Sequence, residues 1–337
     1  MRLKSFSAIG VVALAALSLT ACDASTTAQD PESAEGAATV SAIPAPASVA
    51  TACSPDLKVG LVTINLQALF FNQINTGAQA IADTAGVDLQ IVSANDDPLA
   101  QITAVEQFIT QGKDAIIILP IDTEGILPAI EAASDAEIPV VVVDGIVDSN
   151  AIASAVGTAN AESSQKLAEY LAASTDARGE IGIVSALNST IQLARQKGFI
   201  DQAIADSFTE GTIVDGKNVQ ETAQSASENL LTANPDMAFA FATGEPALIG
   251  LAAAVETQDA GDRVSVVGWD LSEAAVAGLE AGWLKAIVQQ NTFEFGYEGM
   301  NAAINAACGE PTEDFVPIAT QIVTPENFSD FLYYLER

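Results

Sequence analysis

The chain is predicted to be an α/β protein with two doubly wound sheets of mostly parallel strands, on three observations. Short apolar runs alternate with amphipathic stretches from about residue 57 onward, the signature of repeated βαβ units with helices on both faces of a sheet. The punctuating residues Gly86, Gly112, Pro139, Gly179, Pro235 and Gly261 fall between those runs, where turns and helix ends require them. The candidate strands outnumber those of a typical single sheet, so two sheets are the economical arrangement.

The chain opens with Arg2 and Lys4, an apolar run over 9–19 and then Leu19-Thr20-Ala21-Cys22. A run this short, ending in small residues, reads as an export signal over 1–22 and not as a spanning helix. Leu-Thr-Ala-Cys resembles the lipobox of bacterial lipoproteins, which implies a lipid on Cys22 and a mature protein held at the outer face of the cell membrane or in the periplasm. Residues 23–56 are rich in Ala, Ser, Thr and Pro without apolar periodicity, the composition of a flexible tether.

The body begins with Val59, Leu61 and Val62, an apolar run suited to a strand buried on both faces. Thr63, Asn65 and Gln67 interrupt it, Phe70 and Phe71 follow, and Ile74, Ala78, Ile81 and Ala82 then recur at helical spacing up to Gly86. Phe70 and Phe71 therefore sit near the carboxyl end of a strand, the edge where open parallel sheets bind ligands. Further strands are expected at 89–92, 115–119, 140–143, 153–156, 181–184, 212–214, 238–241, 264–267 and 286–288, with helical patterns between most of them.

Charge narrows the partners. Lys and Arg number 12 against 44 Asp and Glu, a net charge of -32. Such a surface repels nucleic acid, and no basic stripe offsets it. With no His in the chain and no CxxC, neither a His- nor a Cys-based zinc site is expected. Cys53 precedes the first strand and Cys308 follows a helix over about 293–307. If that helix returns to the edge where the first strand begins, the two sulfurs can form a disulfide, which export permits; otherwise they are free thiols.

The residues just after each apolar run form a set. Asp144 follows 140–143, Trp269 and Asp270 follow 264–268, and Gln289, Gln290 and Asn291 follow 286–288. Arg195 lies near the start of the helix after 181–184, and Asn218 and Glu245 follow later strands. Taken singly, an Asp is often a helix cap, a Phe or Trp core packing and an Arg a solvated helix residue. Sharing one edge, they make a site with aromatic faces and polar rims, which suits a pyranose, furanose or extended polyol.

Enzymatic readings are weaker. Asp144 and Asp270 form at most a faint glycosidase pair, and no Gly-x-Ser-x-Gly elbow is present. Gly179-Glu180-Ile181-Gly182 precedes a strand, whereas a dinucleotide loop follows one. Neither an enzyme activity nor a cofactor is expected.

In order and spacing, several segments resemble the periplasmic sugar-binding proteins of the ribose-binding type, which serve ABC transporters. They are Ala68-Leu69-Phe70-Phe71 with Gly77-Ala78, Ser93-Ala94-Asn95-Asp96-Asp97-Pro98, Gln111-Gly112-Lys113-Asp114, Ile138-Pro139-Val140 leading to Asp144, Arg195 with Gly198-Phe199, Asn229 to Asp236, and Val266-Val267-Gly268-Trp269-Asp270. The resemblance implies a type 1 periplasmic binding protein fold, two lobes joined by three crossover segments. By it the first lobe takes 57–158 plus 291–318 and the second 159–290 plus 319–337. It also implies ligand contacts at Phe70, Phe71, Asp144, Arg195, Asn218, Trp269, Asp270 and Gln290, with Thr158 at a hinge.

Departures from the family pattern redirect the ligand. Ala68-Leu69 stands where the family has Asn-Pro, Gly145 where ribose binders carry an Arg, Leu119 for a polar residue, Asn218 for an aromatic and Gly244 for an Asn. These losses disfavour ribose itself and favour another monosaccharide or a sugar alcohol, with Asn65 or Gln67 as new contacts. Sugar-responsive repressors share the body but begin with a DNA-binding segment, whereas this chain begins with a lipobox. The expected function is an extracytoplasmic, monomeric solute-binding lipoprotein delivering a small polyhydroxylated ligand to an ABC permease. The alternative is an exported receptor for a signalling or chemosensory ligand.

Overall fold

The structure, a computed structural model, describes residues 43–336. The expected export signal, Cys22 and the first part of the expected tether lie outside the described residues. Among the described residues twelve strands and nine α-helices follow in order: β1 Lys58–Thr63, α1 Leu69–Ala85, β2 Asp88–Ser93, α2 Pro98–Gln111, β3 Ala115–Ile118, α3 Leu127–Asp135, β4 Val140–Val143 and β5 Ser154–Thr158. Then come α4 Asn160–Ser174, β6 Glu180–Ser185, α5 Thr190–Ala205, β7 Thr209–Asp215, α6 Gln220–Ala233, β8 Phe239–Ala242, α7 Glu245–Thr257, β9 Ser265–Trp269, α8 Glu273–Ala281 and β10 Leu284–Gln290. The chain closes with α9 Thr292–Ala307, β11 Phe315–Ile318, β12 Thr320–Val323 and a 3-10 helix, Phe328–Leu335.

The strands form two six-stranded sheets, ordered β11-β5-β4-β3-β1-β2 and β12-β10-β9-β8-β6-β7. The first is parallel throughout; in the second only β12 runs antiparallel, against β10. Three crossovers join the two lobes, after Thr158, after Gln290 and between Ile318 and Thr320. This is the doubly wound architecture expected from the alternation of apolar runs.

The strands' period of two divides each lobe's core between the two sheet faces. Leu61, Ile117, Val141 and Val143 pack toward α1 and α9, whereas Val62, Ile116, Ile118, Val140 and Val142 pack toward α2 and α3. Because β3 and β4 are buried on both faces, they read AIII and VVVV without polar interruption. Helices α1 and α9 approach closely because Gly77 and Gly296 meet backbone: a methyl at either would strike the carbonyl of Phe293 or Ile74.

Three features depart from the sequence reading. The stretch 43–56, expected as tether, packs on the first lobe. Tyr297 donates to the Pro44 carbonyl at 2.9 Å, Asn301 brackets Ser48 and Ala50, and Val49, Ala50 and Ala52 rest on the core. Those partners lie on α9, far along the chain, so local composition carries no trace of them. The disulfide that the sequence allowed between Cys53 and Cys308 is formed, with Cα atoms 5.6 Å apart, and is no departure.

Strands β11 and β12 were not expected. They are four residues each, and β11 carries Pro317, which an edge position tolerates. The 3-10 helix also does not belong to the second lobe alone. Tyr333 and Tyr334 enter the first lobe's core, Phe328 and Leu335 rest on the second's, and Phe331 touches both.

Candidate functional site

The carboxyl ends of both sheets meet at a cleft of about 530 Å³, bordered by Gln67, Phe70, Glu245, Asp270, Leu271 and Tyr334. On the first lobe, the turn before α1 is organised by Asn65. Its Oδ1 accepts from the backbone N–H of Gln67 and Ala68 at 3.0 and 2.9 Å, and its Nδ2 donates to Asp96 at 2.8 Å. Asn65 therefore holds the loop and is committed within the protein, which corrects the expectation of a ligand contact there. Gln67 lines the cleft. Phe70 also lines it, braced edge-on by Phe71 at 5.4 Å and by Phe295 at 6.2 Å. Phe71 supports Phe70 and does not itself border the cleft.

Asp144 follows β4 directly, with φ 67°. No helix begins there, so it is not a cap; the next element is β5. Burial pushes its carboxyl up to about 6, Arg195 pulls it back and Asp270 raises it further. The equivalent place in the second lobe, after β9, holds Asp270 with φ 66°. Both positions use the left-handed backbone that Asp tolerates better than most residues.

Arg195 stands on α5, nearly two turns beyond the cap where Ser189 accepts from the Gln192 N–H. Its guanidinium is buried and held on every side. Nε donates to Asn160 at 2.7 Å, Nη1 to the Thr243 carbonyl at 3.3 Å and Nη2 to Gln290 at 3.1 Å, with Asp270 at 3.9 Å. Its flat face lies 3.7 Å from the Trp269 ring, a cation–π contact typical of Arg.

Trp269 is 0% exposed. It shares the α4–α5 face of the sheet with Val267, because residues two apart on a strand point the same way. The expected ligand platform is thus a base under Arg195, with no face turned to the cleft. Its indole N–H has no partner among the described residues.

Gln290 is fully engaged. Its Oε1 accepts from Thr158 at 2.9 Å and from Arg195, and its Nε2 donates to Asp270 at 2.9 and 3.1 Å. It thereby links two crossover segments to the charged pair. Burial lifts the Asp270 carboxyl above the usual range, against the pull of Arg195 and Gln290. Glu245, at the first position of α7, is raised to about 7 by burial and then by Asp270.

Asn218 is exposed on the loop after β7 and accepts from Gln192; Gln192 in turn accepts from the Thr243 hydroxyl at 2.6 Å. Asn160, Gln192 and Thr243 were missed by sequence reading. Two signals could have found them: Gln192 lies three residues before Arg195 on one helix face, and Thr243 directly follows a strand. No three of the described carboxylates or thiols lie close enough to chelate one metal ion.

A family model described as a periplasmic binding protein domain matches residues 59–311. The ribose import binding protein RbsB of Escherichia coli is 25% identical over 85% of this chain and 97% of its own length. A putative rhizopine-binding protein of Rhizobium meliloti is 28% identical over 78% of this chain and 88% of its own. The crystal structure of a periplasmic ribose ABC transporter protein from Conexibacter woesei shares the fold, with a TM-score of 0.78 at 23% identity over 85% of this chain and 97% of that one. With two matching lobes, a cleft between them and a family match along most of its length, the chain belongs to the periplasmic binding proteins, of the type that includes the ribose import binding proteins.

Proposed function

We propose that this protein is an extracytoplasmic solute-binding lipoprotein that closes its two lobes on a monosaccharide or sugar alcohol and presents it to the permease of an ABC importer. The observation that carries this reading is the pairing across one cleft of an aromatic wall, Phe70, with a polar wall, Glu245 and Asp270, the latter held from behind by Gln290 and Arg195. The C–H face of a sugar ring lies on the first while its hydroxyls meet the second. The names of the ribose and rhizopine relatives support a small polar solute.

Phe70, Glu245, Asp270 and Gln67 are the direct contacts, with Asp144 reaching the ligand from the first lobe. Arg195, Gln290 and Thr158 position them, and Phe71, Asn65, Trp269 and Asn218 support the walls. The lobes divide at 158, 290 and 318 and rotate about those crossovers. Closure is driven by contacts made only in the closed state. Cys22 carries the anchor. The protein works as a monomer, without catalysis or cofactor.

The test is a thermal-shift screen of the unlipidated protein against pentoses, hexoses and their reduced polyols. A ligand that binds only the folded state raises the melting temperature by mass action. One clear stabiliser, confirmed by calorimetry as a single saturable site, supports the reading; silence across the panel counts against a sugar receptor.

A further inference from the structure

The cleft is charged in one sense only. Its lining contains three carboxylates, Glu245, Asp270 and Glu273, and no Lys or Arg. Asp144 adds a fourth from the first lobe, near enough to sense both Arg195 and Asp270. The single cation at hand, Arg195, sits behind Asp270 and is spent on Asn160, Thr243, Gln290 and Trp269. Glu245 makes no hydrogen bond to protein among the described residues and feels Asp270 with no compensating cation.

A neutral polyol would satisfy the lone pairs of these carboxylates and leave their charge unbalanced in a partly desolvated cleft. An ammonium does both, since it donates three hydrogen bonds and carries one positive charge. Phe70 borders the same space, and an aromatic face attracts a cation.

From this arrangement we propose that the ligand is an amino-bearing polyol, an amino sugar or aminated sugar alcohol, whose ammonium sits between Glu245 and Asp270 against Phe70. The proposal rests on the solute-binding reading above and names its ligand class. Glu245 is the residue that sets the preference for positive charge. Asp270 is already held by Gln290 and opposite Arg195, whereas Glu245 is free to pair with the ligand. The hydroxyls of the same ligand occupy the Asp144 and Gln67 side of the cleft.

The test pairs each amine with its neutral parent: D-glucosamine with D-glucose, D-galactosamine with D-galactose, and 1-amino-1-deoxy-D-sorbitol with D-sorbitol, titrated calorimetrically into the unlipidated protein. The expected result is that an amine binds at least tenfold tighter than its parent, and that Glu245→Gln cuts that ratio to about threefold or less, the ratio and not either affinity being the readout. A second readout needs no variant. Glu245 feels Asp270 on its own lobe and shares the cleft lining with Glu273, while Asp144 and Arg195 act on Asp270 and on each other. As Glu245 ionises between pH 5.5 and 7.5, affinity for the amine rises while that for the neutral parent does not. A parent binding as tightly as its amine in every pair overturns the charge inference and leaves the sugar-receptor reading intact. Silence of all six compounds while another neutral sugar stabilises the fold has the same meaning. Silence of every sugar, neutral or aminated, overturns both.

Discussion

The two lobes share one strand order, yet their cleft edges are built from opposite materials. After β1 and β3 the first lobe places Phe70, braced by Phe71, and buried Leu119. After β6 and β8 the second places Gln192, Arg195 and Thr243, bonded to one another or to Gln290. Only the Asp after β4 and after β9 is common to both, and it keeps the same backbone geometry. One topology thus supplies a mainly apolar wall and a polar one, because the fold fixes where strand ends lie and leaves open what stands on them.

Removing Arg195 breaks this contrast most severely. Arg195→Ala leaves Asp270 buried without its cation, and losing one partner of a buried pair typically costs about 3–5 kcal/mol. Both melting temperature and affinity are expected to fall, affinity at least tenfold. An unaltered titration would place the ligand away from the second lobe's wall.

The lobes differ also in covalent support. Cys53 and Cys308, 255 residues apart, are both on the first lobe. Loss of a native disulfide typically costs about 2–5 kcal/mol. Cys53→Ser is expected to lower the denaturant midpoint and leave ligand affinity unchanged, since neither sulfur borders the cleft. A matching loss of affinity would mean that the strap over 43–56 also sets the hinge.

Phe70→Ala tests the apolar wall by itself. Affinity is expected to drop about tenfold, which is about 1.4 kcal/mol, with a smaller loss of stability because Phe70 is only partly buried. Equal affinity in calorimetry would reassign the stacking face.

The smallest expected effect is on pH dependence. Asp144 and Glu245 are raised in the folded protein to about 6 and about 7, so the folded state binds more protons than the unfolded one between about pH 4 and 7. Stability of the ligand-free protein therefore falls as pH rises through that window, by the sign of the linkage relation. Glu245→Gln is expected to flatten the upper part of the slope and Asp144→Asn the lower. Melting curves across pH 4.5–7.5 check both, and a slope unchanged in the double variant would assign it elsewhere.

Much of the site was legible because strand ends are legible. Asp144, Asp270 and Glu245 each stand just beyond an apolar run and Phe70 opens the helix after one, and the convergence of such ends in an α/β sheet is a rule of the fold. Trp269 was misread for a reason of one residue. It is the last residue of β9, not the first beyond it, and its orientation follows the strand's alternation into the core. Asn65 was misread because its carbonyl oxygen is taken by its own turn. Asn160, Gln192 and Thr243 escaped notice because each acts through Arg195 or a neighbour, and such partnership is a matter of distance in space.

The amino-acid order by itself determined the α/β class, the strand runs, the sheet edge at which the candidate site residues gather and the acidic balance, since these depend on local periodicity and composition. Tertiary structure alone decided that 43–56 lies against α9, that the 3-10 helix touches both lobes, and that Arg195 is closed in by Trp269, Asn160 and Gln290. Those contacts join residues far apart in the chain, and their energies appear only once the backbone has brought the groups together.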